Sequence, residues 1–520
     1  MSIESGTQSN TKTAPKSVLL FSPSGTWDQY PDFLNTLYRR HGTRFTVIVP
    51  HTSRIAEARA WGPMIDEVLS ASDMEDEFAA RSNRLSEDTI YQRSFDLEDK
   101  YKINILRDYV MTNRRMAAPA LGMADTSPVG RLKPPPLSES HALINETFAY
   151  FEELFSRKHF DLVVARTEGF FENTAVYVAR NLRIPTTFPI FTRQGNRFMW
   201  TSNPFIGHDF LKRKYDALPK ADMSLIDDTA PPPVTHRNRQ RALQLRSTWL
   251  LMRKVAVEIV VHTIMALRSL KQRGSSKRLS LLSVLQRSFA AWRMFRYIDR
   301  NGDKDIDRVT ERPFILFLLQ VEPEWTTLSQ AKEFNNTLAL IQQLSSKLPA
   351  GHRLVVKEHT TNIGNRGKDF YEKIRRLPTV VFAHYSISGI ELAKRSAAVV
   401  TISGTIGMEA GLIGKRALLF AKRSEYVFLP HVTLISDFMN ITPTLREAVR
   451  PLNAEETRNI QEGAARYRAA VNAASWDASN GLLFGGTGGL SPEEAGRAGD
   501  LLLEVIELQH QRYAAGLSFD

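Results

Sequence analysis

The chain contains no cysteine. That excludes disulfides, thiolate metal ligands and a cysteine nucleophile, and it fits a reducing compartment. Long uninterrupted apolar runs are missing as well. The nearest, Trp249–Leu270, carries Arg253, Lys254, Glu258, His262 and Arg268. Such groups are costly at bilayer depth, so this stretch is expected to form a soluble or interfacial helix and not a membrane span. Residues 1–15 have no apolar centre and read as a disordered tail, not a signal peptide. There is also no G-x-G-x-x-G fingerprint, no Gly-Lys-Ser/Thr phosphate loop, no zinc spacing, no RNA-binding sheet motif and no repeat of solenoid period.

What is present is an ordinary globular composition, 42% apolar and 24% charged over 520 residues. That length exceeds what one core usually supports, so two domains or more are expected. The net charge of +12 is concentrated in one place. Between Arg237 and Arg300 fifteen Lys/Arg stand against Glu258 and Asp299 alone, so this segment carries the whole excess. A surface of that kind can attract phosphate-rich partners: an anionic membrane face, an acidic polymer or nucleic acid. The Trp249–Leu270 helix itself is either buried with solvated basic ends or set against anionic lipid. Nucleic acid is not expected, because Phe289, Trp292, Phe295 and Tyr297 are few and follow no known motif.

Strand-like runs alternate with helical ones. Lys16–Ser22, Arg44–Val49, Phe160–Ala165 and Ile184–Phe188 read as strands, with helices at Asp32–Arg39, Thr147–Lys158 and Asn173–Leu182. After a basic helical stretch the alternation resumes. Strands are expected at Arg312–Leu319, Arg353–Lys357, Thr379–Phe382, Ala398–Ile402 and Ala417–Phe420, with helices between them. This is an α/β pattern with parallel sheets. The expected organisation is a tail (1–15), a first Rossmann-like domain (16–235), a basic helical segment (236–310), a second Rossmann-like domain (311–475), and a Gly-rich loop with a closing helix (476–520).

Parallel sheets bind ligands beyond the carboxyl ends of their strands, which directs attention to three loops of the second domain. Gln320-Val321-Glu322-Pro323-Glu324 is either a solvated acidic turn or the lining of a cleft. Lys357-Glu358-His359 is either a solvated strand end or a pair of phosphate contacts around a carboxylate. In VVTISGTIGMEAGLIGKRALLF, Ser403 and Thr405 can cap a helix, and Gly404 lets a backbone approach closely. The amides that open that helix favour an anion, and Glu409 lies one turn on, where it could accept from ribose hydroxyls.

In order and spacing, LLQVEPEWTTLS, VKEH and LPTVVFAHYSISGIELAKRSAAVVTISGTIGMEAGLIGKRALLF resemble the capsule-polysaccharide biosynthesis glycosyltransferases, a family that includes Kdo transferases. The resemblance spans about Phe314–Tyr426. It implies two facing Rossmann-like domains of the GT-B form, with the basic helical segment as an insertion between them. It implies that the second domain holds a nucleotide sugar, CMP-linked in the Kdo-like case, and that no cofactor or metal is needed. The expected lack of an Asp-x-Asp phrase of the metal-using transferase type is a second ground for metal independence. By the same resemblance His359 and Ser403–Thr405 would bind donor phosphate, Glu409 the ribose, and Gln320, Glu322 and Glu324 would line the cleft. Lys357, a point charge at the lip of the sheet, is placed to meet phosphate oxygens on its own account. The family has proline after its histidine where this chain has Thr360, which implies a less rigid loop. Candidates for the catalytic carboxylate are Glu168, beside Arg166, and Asp28. Arg193 is either an exposed cation or a contact for an acidic sugar. The implied enzyme is cytoplasmic, works at the inner face of the membrane, and extends a cell-surface or lipid-linked glycan. The alternatives are a nucleotide-sugar epimerase or hydrolase of the same layout, and a non-catalytic membrane-associated assembly protein.

Overall fold

The computed structural model describes residues 14–22, 30–82, 85–113, 116, 135–166, 169–192, 194–201, 208–218, 223–226, 239–240, 242–244, 246–269, 281–322, 324–334, 336–478 and 489–517. The chain divides into a first unit, Met1–Lys102, His141–Lys214 and Val471–Asp520, and a second, Ile103–Ser140 and Tyr215–Ala470.

The first unit has a parallel sheet of β1 (Ser17–Phe21), β2 (Arg44–Val49), β3 (Ile65–Ser70), β4 (Leu162–Val164) and β5 (Thr186–Thr187), in the order β3-β2-β1-β4-β5. Its central strands, SVLLF and LVV, are apolar and buried on both faces, as strands covered by helices on each side must be. β3 is the polar edge strand: Asp66 pairs with Arg44 and Glu67 with Lys158. A second, antiparallel sheet joins β6 (Pro189–Phe191), β7 (Arg197–Trp200) and β14 (Ser475–Asp477). The chain's last helix, Pro492–Ala514, therefore belongs to the first unit. Trp200 Nε1 donates to Ala498 O at 2.8 Å, and buried Gln509 bonds both the N–H and the carbonyl of Thr186, closing the β5 edge.

The second unit has six parallel strands: β8 (Phe314–Leu318), β9 (Arg353–Lys357), β10 (Val380–Ala383), β11 (Ala398–Thr401), β12 (Ala417–Leu419) and β13 (Val432–Leu434). Their order, β10-β9-β8-β11-β12-β13, is the doubly wound Rossmann order. Its core gathers Phe314, Leu316, Val355, Val399 and Ala417 from the strands with Leu392, Ile406 and Ala410 from the covering helices. Both units are Rossmann-like, as the α/β alternation predicts. The described residues of the basic stretch include helices Thr248–Ser269 and Leu281–Asn301 of the second unit. No helix among the described residues is long and apolar enough to cross a membrane.

Candidate functional site

In the second unit the strand order reverses between β8 and β11, so the loops leaving these neighbours run to opposite sides and open a crevice at their carboxyl ends. The sequence places Gln320 after one strand and Ser403-Gly404-Thr405 after the other, and the structure brings them together. Two backbone donors, Ser403 N–H and Gly404 N–H, face the Gln320 amide. Its oxygen therefore belongs on their side, accepting from Ser403 N at 2.9 Å while its nitrogen donates to Ser403 Oγ at 3.3 Å. Thr401 Oγ1 accepts from Gly404 N at 2.9 Å, and Tyr426 OH donates to Gly404 O at 2.6 Å. A Cβ at position 404 would stand 2.7 Å from Thr401 Oγ1, so glycine is required by space.

The helix that follows, Ile406–Leu412, is seated just as closely. A Cβ on Gly407 would lie 2.8 Å from the Tyr426 hydroxyl, and one on Gly411 2.4 Å from the ring of His431. His431 is fully buried and its Nε2 donates to Gly407 O at 2.9 Å. Burial pushes its pKa down to about 4 against that hydrogen bond. The amides of Thr405 and Ile406 have no partner among the described residues. Glu409 is half-buried, with its own N–H bonded to Thr405 O at 2.9 Å.

The loops after β8 and β9 are tied together by one buried cation. Arg366 Nη1 donates to both oxygens of Glu358 at 2.8 and 2.7 Å, and its Nη2 reaches Gln320 O at 3.0 Å and Glu322 Oε2 at 2.8 Å. Glu358 also accepts from Tyr371 OH at 2.9 Å and from His359 N at 2.7 Å. The other oxygen of Glu322 takes the Thr337 hydroxyl, and its backbone N–H bonds Asn362 Oδ1 at 3.2 Å. Burial opposes the charge on Arg366, but Glu322 and Glu358 outweigh it and hold the guanidinium above its ordinary pKa. Burial, then Glu358, raises the Tyr371 phenol. Asn362 Nδ2 and Arg366 Nε are buried without a hydrogen-bond partner among the described residues.

Lys357 ends β9, beside Leu318 of β8 and Ala383 of β10. Burial, with the Arg239 guanidinium adding and Glu358 opposing, lowers its ammonium to about 8. His359 is half-buried, with Nδ1 held by Thr361 Oγ1 at 2.8 Å. Glu324 is the residue that opens the helix Trp325–Gln330, its carbonyl accepting from the Thr327 and Leu328 amides. Asp28, Glu168 and Arg193 lie outside the described residues.

Sequence reading missed Arg366, Tyr371 and Thr337, which hold the β8 and β9 loops, and Tyr426 and His431, which seat the Gly-rich helix. The expectation of no Asp-x-Asp phrase is corrected. Asp303-Lys304-Asp305-Ile306-Asp307 is such a run, ahead of β8 in the chain, and each carboxylate has a local partner. Asp303 pairs with Arg308 at 3.3 Å, Asp305 caps the turn Ile306–Val309, and Asp307 pairs with Arg395 at 2.6 Å.

One of the basic helices, Leu281–Asn301, abuts the β9 loop. Gly364, at φ +101°, lies so close to helix Leu281–Asn301 that an added Cβ would stand 2.6 Å from Ala291 Cα. Asp299, one of two acids in the basic segment, accepts from His384 Nε2 at 3.0 Å, Tyr385 OH at 2.7 Å and Arg246 Nε at 3.2 Å. It ties that helix to the end of β10.

No family model matches the chain, and no curated protein matches its sequence. Solved structures similar to it include a putative UDP-N-acetylglucosamine 2-epimerase from Listeria monocytogenes, at 12% identity over 88% of this chain and 95% of that one, TM-score 0.24. Another is KpsC, a beta Kdo 2,4 transferase from Thermosulfurimonas dismutans, at 14% identity over 59% and 79%, TM-score 0.28. A third is the glycotransferase of kitacinnamycin, at 13% identity over 94% and 99%, TM-score 0.26. With TM-scores this low, the fold assignment rests on the strand order itself.

Proposed function

We propose that the chain is a glycosyltransferase that moves a sugar from a nucleotide-activated donor to a cell-surface polysaccharide or lipid-linked glycan. The observation that carries this reading is the meeting of Gln320 with Ser403 and Gly404 at the reversal point of the second sheet, where doubly wound sheets seat nucleotides. The amides of Thr405 and Ile406, His359 and the Lys357 ammonium would take the donor phosphates, and Glu409 the ribose. Glu322 has both oxygens engaged by Arg366 and Thr337, so its part would be to hold the β8 loop in place. Glu324 would line the cleft. The carboxylate acting at the anomeric carbon would come from Glu168 or Asp28 of the first unit. Independence of metal and the choice of CMP as nucleotide follow the family resemblance.

A thermal-shift screen of the full chain against CMP, UDP, GDP and their sugars tests the reading. One nucleotide should stabilise the fold by mass action, about 2.7 kcal/mol at a hundred times its Kd, and His359→Ala should cut that shift. No shift with any nucleotide would sink the proposal. Release of free nucleotide without acceptor would move it to a hydrolase or epimerase. Donor binding untouched by His359→Ala and by Ser403→Ala would move the donor elsewhere.

A further inference from the structure

As far as Val260, helix Thr248–Ser269 presents large apolar side chains to solvent. Trp249 is 68% exposed, and Met252, Val257, Ile259 and Val260 are between 44% and 57% exposed. These five are concentrated in twelve residues, whereas the other exposed large apolar side chains of the described residues are scattered along the chain. At 3.6 residues per turn the five, with exposed Ala256, fall on one arc of about 160°. Buried Leu251 and half-buried Val255 lie on the opposite side. That inner side rests on helix Leu281–Asn301, where Trp292 Nε1 and Arg296 Nη2 both donate to Thr248 Oγ1, at 3.2 and 3.1 Å.

Exposed cations lie in and around the outward arc. Arg253 falls within it, between Val260 and Val257, Lys254 lies beyond its edge, and Arg296 of the neighbouring helix reaches Thr248 at its start. Arg253 lies over the Trp249 ring at 5.9 Å, its stem alongside the apolar arc. An apolar arc of this width, crossed by one long cation able to snorkel and bordered by another, Lys254, matches the requirements of a helix lying in a bilayer interface. The outward arc holds one aromatic, Trp249, so it lacks the stacking platform that single-stranded nucleic acid needs. Two copies paired through this face would bring their arginines together, which disfavours self-association.

We propose that the outward face of helix Thr248–Ser269 docks the protein on an anionic lipid surface, with Trp249, Met252 and Val260 entering the interface and Arg253 and its neighbours meeting the headgroups. Its partner helix packs on the β9 loop at Gly364, so the docked face is linked to that loop through one intervening helix of the same unit. The inference stands apart from the donor reading.

The test is co-sedimentation of the full chain with phosphatidylglycerol–phosphatidylcholine vesicles and with phosphatidylcholine alone, for the native protein and the triple variant Trp249→Ser, Met252→Gln, Val260→Gln. All three positions are exposed, so the variant should keep the native melting temperature. Binding is expected for the anionic vesicles only, to weaken with salt, and to fall more than about tenfold in the triple variant. Absence of binding to either vesicle would overturn the proposal, as would undiminished binding by the variant. A native dimer that the triple variant converts to monomer would assign the face to a second copy instead. Any nucleotide-induced thermal shift should survive in the triple variant, so the two proposals fail separately.

Discussion

Two regions of the second unit use charge in opposite ways. Behind the β8 and β9 loops the charges are few and buried, and each has named partners: Arg366 between Glu322 and Glu358, with Tyr371 and the His359 amide completing the shell. On the helix pair Thr248–Ser269 and Leu281–Asn301 the cations are many and mostly exposed, and Asp299 is the acid that anchors them to β10. Buried charge is expensive to desolvate, so it persists where geometry is over-determined and it fixes that geometry. Exposed charge costs little and fixes little, but its field reaches across a Debye length toward a partner. The first region builds a site; the second offers a surface.

The largest expected effect comes from removing the buried cation. Arg366→Met leaves Glu322 and Glu358 buried without their counter-charge, and breaking such a network costs about 3–5 kcal/mol. Denaturant titration of the variant should show that loss, with nucleotide-induced stabilisation gone even under conditions where it folds. The triple change Arg366→Met, Glu322→Gln, Glu358→Gln should recover part of the stability, because it removes the unpaired charges too. A loss below about 1 kcal/mol for Arg366→Met alone would place this cation with the exposed ones and erase the distinction.

The same contrast explains what could be read in advance. β2 and β9 were legible to the residue, because RFTVIV and RLVVK are apolar runs bounded by charge. β3 was not, since IDEVLS is an edge strand whose Asp66 and Glu67 serve surface pairs and blur its pattern. Gln320, Ser403 and Gly404 could be found because strand ends are visible in sequence and site loops follow them. Arg366 could not be found. It sits in the polar run NIGNRGKD, and its partners Glu322 and Glu358 are set by the fold and not by spacing. His431 and Tyr426 were hidden for the same reason, although the glycines of SGTIGMEAG already implied that something large packs against them.

A middle-sized effect tests burial without a partner charge. His431 is neutral in the fold at about pH 4 and above, while the unfolded chain takes up a proton near pH 6.5. Its folded pKa is the lower one, so the contribution is present in full above pH 6.5 and is lost as pH falls from about 6.5 to 4. The shift corresponds to about 3 kcal/mol. Denaturant midpoints at pH 7 and pH 4 should therefore converge for His431→Asn relative to the native protein, whatever other groups titrate in that window. Parallel pH slopes for the two proteins would show that the ring's burial is not linked to protonation.

The smallest expected effect on stability is at the exposed end of the comparison. Arg253→Ala removes a solvent-facing cation whose structural contact is the Trp249 ring at 5.9 Å. Substitutions of this kind change stability by no more than about 0.5 kcal/mol. Binding to anionic vesicles is where the residue should matter, at about 1 kcal/mol per cation near a charged surface, or about fivefold. Stability unchanged with vesicle affinity reduced, and more so at low salt, would separate the two uses of charge in a single variant. A measurable drop in melting temperature with vesicle binding intact would instead make Arg253 part of the helix's own packing, and the basic face would lose its clearest charged contact.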